Sequence, residues 1–326
     1  METQRLSLEE AAKFLSEGKL VSFGTETVYG LGANALDSVA VAKIFEAKQR
    51  PTFDPLIVHL ANAEDAEKYA AEVPERARKL MDAFWPGPLT LVVPKKPVIP
   101  DLVTSGLPRV ALRVPDHAEA RELISQADVP LAAPSANPFG GISPTTAQHV
   151  LDGLGGVIDG VVDFGPCRVG VESTVVGFDD AGHPIVLRPG GLTVEDLESV
   201  VGTVRSVQSM LQDDNLPQLA PGMLSRHYAP NKPLRIVESV SEFRDEARVG
   251  VISLEPLPDA NEYAVLEVLS SSGNLVEAAA TFFSALRRLE ASEQCDRIVC
   301  AAFPDQGLGK ALNDRLRRAA TPLVDS

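Results

Sequence analysis

Cysteine is scarce in this chain: Cys167, Cys295 and Cys300 are the only three in 326 residues, and no two make a Cys-x-x-Cys pair. This excludes a disulfide-stapled scaffold and a zinc ribbon, and it reads as free buried thiols in a reducing compartment. Positive charge is also short, with 30 Lys and Arg against 45 Asp and Glu, a net charge of −15. A broad nucleic-acid surface needs clustered cations, so no extensive contact with nucleic acid is expected. A basic pocket inside an acidic protein suits a small anionic ligand better. No apolar run approaches the ~18 residues that a membrane span requires. The first residues, Met-Glu-Thr-Gln-Arg-Leu-Ser, are too polar for a signal peptide. The expectation is a soluble, cytoplasmic protein that makes no membrane contact.

The usual catalytic signatures are missing as well. There is no Walker loop, His-Glu-x-x-His, Gly-x-Ser-x-Gly, Gly-x-Gly-x-x-Gly or Cys/His metal pattern, and the five histidines are dispersed. No protein metal site and no obvious nucleophile is expected. What remains is a set of cations, hydroxyls and glycines suited to holding a polyanion.

At this length the chain accommodates two domains. Short apolar strands interleave with amphipathic helices over residues 1–202, which predicts an α/β domain built on a mixed twisted sheet. Periodicity fades over 203–233, a stretch read as linker and lid. A second αβ series over 234–326 predicts a smaller Rossmann-like domain. There the long helix after Val268 carries Leu275, Ala278, Ala279, Phe282, Phe283, Leu286 and Leu289 on one face. With no Gly-x-Gly-x-x-Gly, that domain is not expected to bind a dinucleotide.

The first domain is organised around Lys48-Gln-Arg50-Pro-Thr-Phe-Asp54-Pro-Leu-Ile-Val-His59. Pro51 disfavours helix just ahead of it, so Lys48 and Arg50 fall where a helix gives way to loop. There, Arg offers a planar fork and Lys a point charge to an anion. Upstream lies the glycine-punctuated Gly24-Thr-Glu-Thr27-Val-Tyr-Gly-Leu-Gly32, read as a strand-loop-helix turn. Arg113 sits in an apolar strand, where alternation most simply turns a charge towards solvent. A short strand ending at Ala133-Pro134 delivers Ser135 and Asn137 to a loop, and Ser143 precedes a helix whose free N–H groups suit phosphate oxygens. Ser173 and Arg188 stand at strand edges.

Thr-Glu-Thr-Val-Tyr-Gly-Leu-Gly, Lys-x-Arg-Pro, Pro-Leu-Ile-Val-His and Ser-x-Asn, in this order, resemble the YrdC family. Pro221-Gly222-Met223-Leu-Ser-Arg226-His227-Tyr228-Ala-Pro230 resembles the linker motif of the family's long form, the L-threonylcarbamoyladenylate synthases. The resemblance implies a nucleotidyltransferase that turns ATP, L-threonine and bicarbonate or CO2 into threonylcarbamoyl-AMP and pyrophosphate. Mg²⁺ would accompany the ATP, and a tRNA threonylcarbamoyl transferase machinery would use the product. It implies Lys48, Arg50, Ser135, Asn137, Ser143 and Arg188 as ATP ligands, with Lys48 and Arg50 stabilising charge in catalysis. Asp54 and Arg109 fall at nucleotide-site positions where the family more often carries other residues. Tyr228 is expected to fold back over the ATP phosphates or ribose. Thr27, His59, Arg113, the backbone of Ala133, and Ser173 would hold threonine. The alternative is a YrdC-like RNA-binding module without catalysis, which would need a basic concave surface on this acidic chain.

Overall fold

The computed structural model describes residues 2–207 and 227–321. Of the segment 221–230, only His227 to Pro230 falls among them; Gly222, Met223 and Arg226 lie outside the described residues.

Among the described residues two sheets form. The larger contains β1 (Gln4–Arg5), β2 (Val21–Phe23), β3 (Gly30–Asn34), β4 (Ile57–His59), β5 (Leu89–Pro94), β6 (Arg109–Arg113), β7 (Leu131–Ala132), β8 (Gly160–Val162), β9 (Thr174–Phe178), β10 (Pro184–Arg188) and β11 (Arg205–Ser206). Their order is β1-β8-β2-β3-β7-β4-β6-β5-β9-β10-β11, with parallel and antiparallel pairs mixed. The smaller sheet holds β12 (Leu234–Val237), β13 (Val249–Ser253), β14 (Val265–Val268) and β15 (Arg297–Ala301), all parallel in the order β12-β15-β13-β14. Helix Leu275–Ala291 buries the apolar face read from the sequence, and helix Gly309–Ala319 follows the last strand. Cys167, Cys295 and Cys300 are buried and free. Within the described residues no helix is long and apolar enough to cross a membrane.

Two expectations need correction. Gly30–Asn34, read as part of a turn, is a strand paired antiparallel with β2. Its glycines serve packing rather than turning: a Cβ on Gly32 would lie 2.8 Å from the Phe23 ring. The stretch 203–233 is not all linker, because Arg205–Ser206 pairs in parallel with β10 and extends the large sheet.

Strand alternation sends Val58 and Leu112 into the main core, whereas Ile57, His59, Ala111 and Arg113 turn to the other face. That face is covered rather than solvated. Here the simplest reading of a strand arginine fails: Arg113 is only 3% exposed. Covering comes from residues 227–230 and from the small-sheet unit, whose helix packs so closely that a Cβ on Gly170 would lie 2.4 Å from the Ala279 carbonyl oxygen.

Candidate functional site

Helix Ser38–Lys48 starts on an Asp37 side chain that accepts from the Val39 N–H, and it stops at Gln49, which adopts φ 53°. The left-handed residue turns the chain so that Lys48 and Arg50 leave the helix end in different directions. The Lys48 ammonium donates to the carbonyl oxygen of Ser135 (2.5 Å) and to that of Asn137. It therefore braces the Ser135–Asn137 loop and keeps a third proton for another acceptor. Arg50 donates to the backbone oxygens of Asp54 (3.2 Å) and Pro55 (3.0 Å) and pairs with the Asp54 carboxylate at 2.9 Å. Asp54 thus works as the arginine's counter-ion, which answers how a carboxylate is tolerated beside a cationic site.

The β4–β6 register sets His59 opposite Arg113. Arg113 donates to the Gly87 carbonyl oxygen and pairs with Glu26 at 2.7 Å. His59 packs edge-on to Phe23, and its Nδ1 has no partner within the protein. Burial, reinforced by Arg113, pushes the His59 pKa down to about 3, so the ring is neutral near pH 7. Across β5 and β9, the Ser173 hydroxyl meets that of Thr90 at 2.7 Å. Arg188, at the end of β10, donates to the Ser173 carbonyl oxygen (2.9 Å) and hydroxyl (3.2 Å).

Most of these groups converge on one cavity, whereas Lys48 and Asp54 are buried and do not line it. Arg50, His59, Arg113, Ala133, Ser135, Ser173 and Arg188 line it, and Glu172, His227 and Tyr228 close it. Burial pulls the pKa values of Arg50 and Arg188 below the usual arginine range and that of Lys48 well below the lysine range. Cations desolvated in this way gain most from an anion. The free volume is about 50 Å³, room for a few waters, so any larger ligand requires the lining to part. Tyr228 holds φ 64°, is 1% exposed, and leaves its hydroxyl without a partner among the described residues. Its ring meets His227 at 4.2 Å and Phe283 at 5.6 Å. Burial also pushes the His227 pKa to about 3.

Not every predicted residue reaches the cavity. Thr27 is buried behind the wall, its hydroxyl 2.9 Å from that of Thr25, and it is Thr25 that lines the cavity. Asn137 donates to the carbonyls of Pro138 and Gly141, and Ser143 donates to Glu172, so both stand one step back. The Ala133 N–H is taken by the Ile57 carbonyl oxygen, which leaves its own carbonyl for a ligand. Arg109 is set apart: it starts the strand that Arg113 ends, about 13 Å away at strand rise, and donates to the Phe178 carbonyl oxygen. Sequence reasoning missed Glu26, Glu172 and Arg315. Glu26 lies within the glycine-punctuated stretch itself, and Arg315 falls on the apolar stripe of the last helix with Leu312, Leu316 and Ala319, where a cation is out of place.

Residues 13–190 match the Sua5/YciO/YrdC family, described as telomere recombination, and residues 192–321 match the family described as threonylcarbamoyl-AMP synthase, C-terminal domain. The threonylcarbamoyl-AMP synthase of Pyrococcus abyssi is 44% identical over 323 residues, covering 95% of this chain and 93% of that protein. The Bacillus subtilis enzyme of the same name is 43% identical over 330 residues, with 98% and 94% covered. The crystal structure of P. abyssi Sua5 complexed with L-threonine superimposes with a TM-score of 0.88 at 42% identity, covering 98% of this chain and 97% of that one. With both parts matched along nearly its whole length, the chain belongs to the Sua5/YrdC family, in the form that carries the Sua5 C-terminal domain.

Proposed function

We propose that this protein is a threonylcarbamoyl-AMP synthase, a nucleotidyltransferase that makes threonylcarbamoyl-AMP and pyrophosphate from ATP, L-threonine and bicarbonate or CO2. The observation that carries the reading is the buried cavity where Arg50, Arg113 and Arg188 meet Ser173 and His59. A relative with that activity in its name is 44% identical over 95% of the chain, and a structure of that species' Sua5 holds L-threonine.

The chemistry asks for placement more than for side-chain reactivity. The threonine nitrogen loses a proton and attacks the carbon of CO2, or of bicarbonate with loss of water, to give a carbamate. A carbamate oxygen then attacks the α-phosphorus, the bond to the bridging oxygen breaks, and pyrophosphate leaves. In this reading Arg113 takes the threonine carboxylate through its planar fork. The neutral His59 ring, the Ser173 hydroxyl and the Ala133 carbonyl fix the rest of the amino acid. Arg50, Arg188 and the third proton of Lys48 stabilise the phosphates, with Ser135 beside them. Asn137 and Ser143 shape the site from behind, and Thr27 supports Thr25. Arg109 takes no part.

Mg²⁺ would ride on the ATP phosphates and screen their charge. Glu172, which lines the cavity, is engaged by Arg315, and Asp54 behind it is engaged by Arg50, so neither is a ready ligand for the ion. The product is a reactive mixed anhydride, and the reading places its consumption with a cytoplasmic transferase that modifies adenosine in tRNA. The test is pyrophosphate release from the purified protein with each amino acid in turn. Release should require L-threonine and bicarbonate together, and equal release without any amino acid overturns the assignment.

A further inference from the structure

Glu172 is the one acidic side chain among the described residues that line the cavity, and Arg188 is near enough to act on its charge. A carboxylate there repels a polyphosphate and competes with it for the arginines. Both of its oxygens are occupied. Oε1 accepts from the Ser143 hydroxyl at 2.5 Å, and Oε2 accepts from Nε of Arg315 at 2.7 Å. Burial alone raises the Glu172 pKa, but Arg315, Arg188 and Ser143 outweigh it, and the carboxyl stays below its ordinary range. It is therefore charged whenever the site is used.

Arg315 belongs to the last helix of the small-sheet unit, 143 residues further along the chain. Nothing of it is exposed. Nη1 donates to the Pro189 carbonyl oxygen at 3.0 Å and to Asp314 at 2.6 Å, and the guanidinium lies 5.0 Å from the centre of the Tyr228 ring. Asp314 is held in turn by Arg318 at 3.0 Å. Arg188, meanwhile, directs its donors to Ser173 rather than to Glu172.

We propose that Arg315 completes the nucleotide site from the second domain: by engaging Glu172 it keeps that carboxylate from capturing Arg188, and so leaves that cation for the ligand's phosphates. Arg315 is a positioning residue, acting through Glu172 without touching the ligand. The inference rests on the reading of the cavity as an ATP site, and it gives the C-terminal domain a definite part in that site.

The test uses the full chain and the KM values for ATP and threonine. Arg315→Gln should raise the ATP KM by about tenfold or more, with the threonine KM changed less than about threefold. Adding Glu172→Gln removes the carboxylate that the arginine restrained, and it should bring the ATP KM back to within about threefold of the unsubstituted chain. A merely structural role predicts otherwise: both KM values rise together, or Glu172→Gln gives no rescue, and either result overturns the proposal. Should Arg315→Gln not fold, the double variant, which lacks both charges of the pair, is compared directly with the unsubstituted chain. An ATP KM within about threefold supports the proposal, and a rise beyond about tenfold overturns it. If the unsubstituted chain releases no threonine-dependent pyrophosphate, the functional reading itself has failed. Binding of a fluorescent ATP analogue then carries the same comparison.

Discussion

Arg113 and Glu26 form an ion pair 2.7 Å long that is closed off from solvent, the two side chains being 4% and 0% exposed. The arginine also faces His59 across the β4–β6 register, so its charge lies between a fixed carboxylate and the cavity. A bidentate guanidinium can serve both, with one edge to Glu26 and one to a substrate carboxylate.

Arg113→Lys keeps the charge and loses the fork. The threonine KM should rise by about tenfold or more while the ATP KM moves little. A change confined to ATP would remove Arg113 from the amino-acid site.

Glu26→Gln leaves a buried arginine without its counter-ion, at a cost of about 3–5 kcal/mol of stability, read from urea unfolding. In the proposed reading threonine brings a carboxylate to the same guanidinium. Its protection against unfolding should therefore be larger in the variant than in the unsubstituted chain. Equal protection in both would separate Glu26 from threonine binding.

Arg50 lines the cavity and is pinned by Asp54, whereas Lys48 stands behind it and braces the 135–137 loop. Lys48→Ala and Arg50→Ala should each lose about 2–4 kcal/mol of transition-state stabilisation, measured as kcat/KM. Wild-type turnover in both would make the pair ornamental to the chemistry.

The histidines give stability a pH dependence. His59 and His227 are held neutral, with pKa values pushed from 6.5 to about 3, so the unfolded chain binds more protons than the folded one between those limits. Stability is complete above the unfolded value and is lost as pH falls towards the folded value, at about 1.4 kcal/mol per pH unit for each ring. The urea midpoint should drop steadily between pH 6.5 and 4.5. A midpoint that stays level over this range would mean that the rings are not held neutral by burial.

Much of this was legible because the informative residues are local. Pro51 placed Lys48 and Arg50 at a helix end, and the helix does stop at Lys48. Short apolar runs marked β4 and β6, and apolar spacing found the helix Leu275–Ala291. What escaped depends on residues distant in sequence. Gly30–Asn34 lacks the branched side chains of a strand, and Phe23 explains why only when β2 lies beside it. Arg109 and Arg113 look equivalent along the chain until the length of one strand separates them. Glu172 and Arg315 are 143 residues apart, and no spacing rule joins them.

Tyr228 offers the sharpest separation between architecture and activity. Its ring is fully packed, against His227, Phe283 and the Arg315 guanidinium, whereas its hydroxyl is buried with no partner among the described residues. A buried hydroxyl left unpaired costs about 1–3 kcal/mol, which a packing role alone does not explain. Tyr228 also lines the cavity, and in the proposed reading the 227–230 segment closes over the ligands. In the closed complex the hydroxyl would meet a phosphate or ribose oxygen and help keep water from the carbamate and the mixed anhydride. Tyr228→Phe retains the ring and removes only that oxygen. Urea unfolding should show a stability equal to or greater than that of the unsubstituted chain. The kcat/KM for ATP should fall by about 1.5–3 kcal/mol, the scale of a hydrogen bond to a charged group. Tyr228→Ala also opens the lining, and it should add a slow hydrolysis of the anhydride, seen as AMP formed in excess of product. If Tyr228→Phe retains full kcat/KM, the hydroxyl meets no ligand and the segment acts through its ring alone.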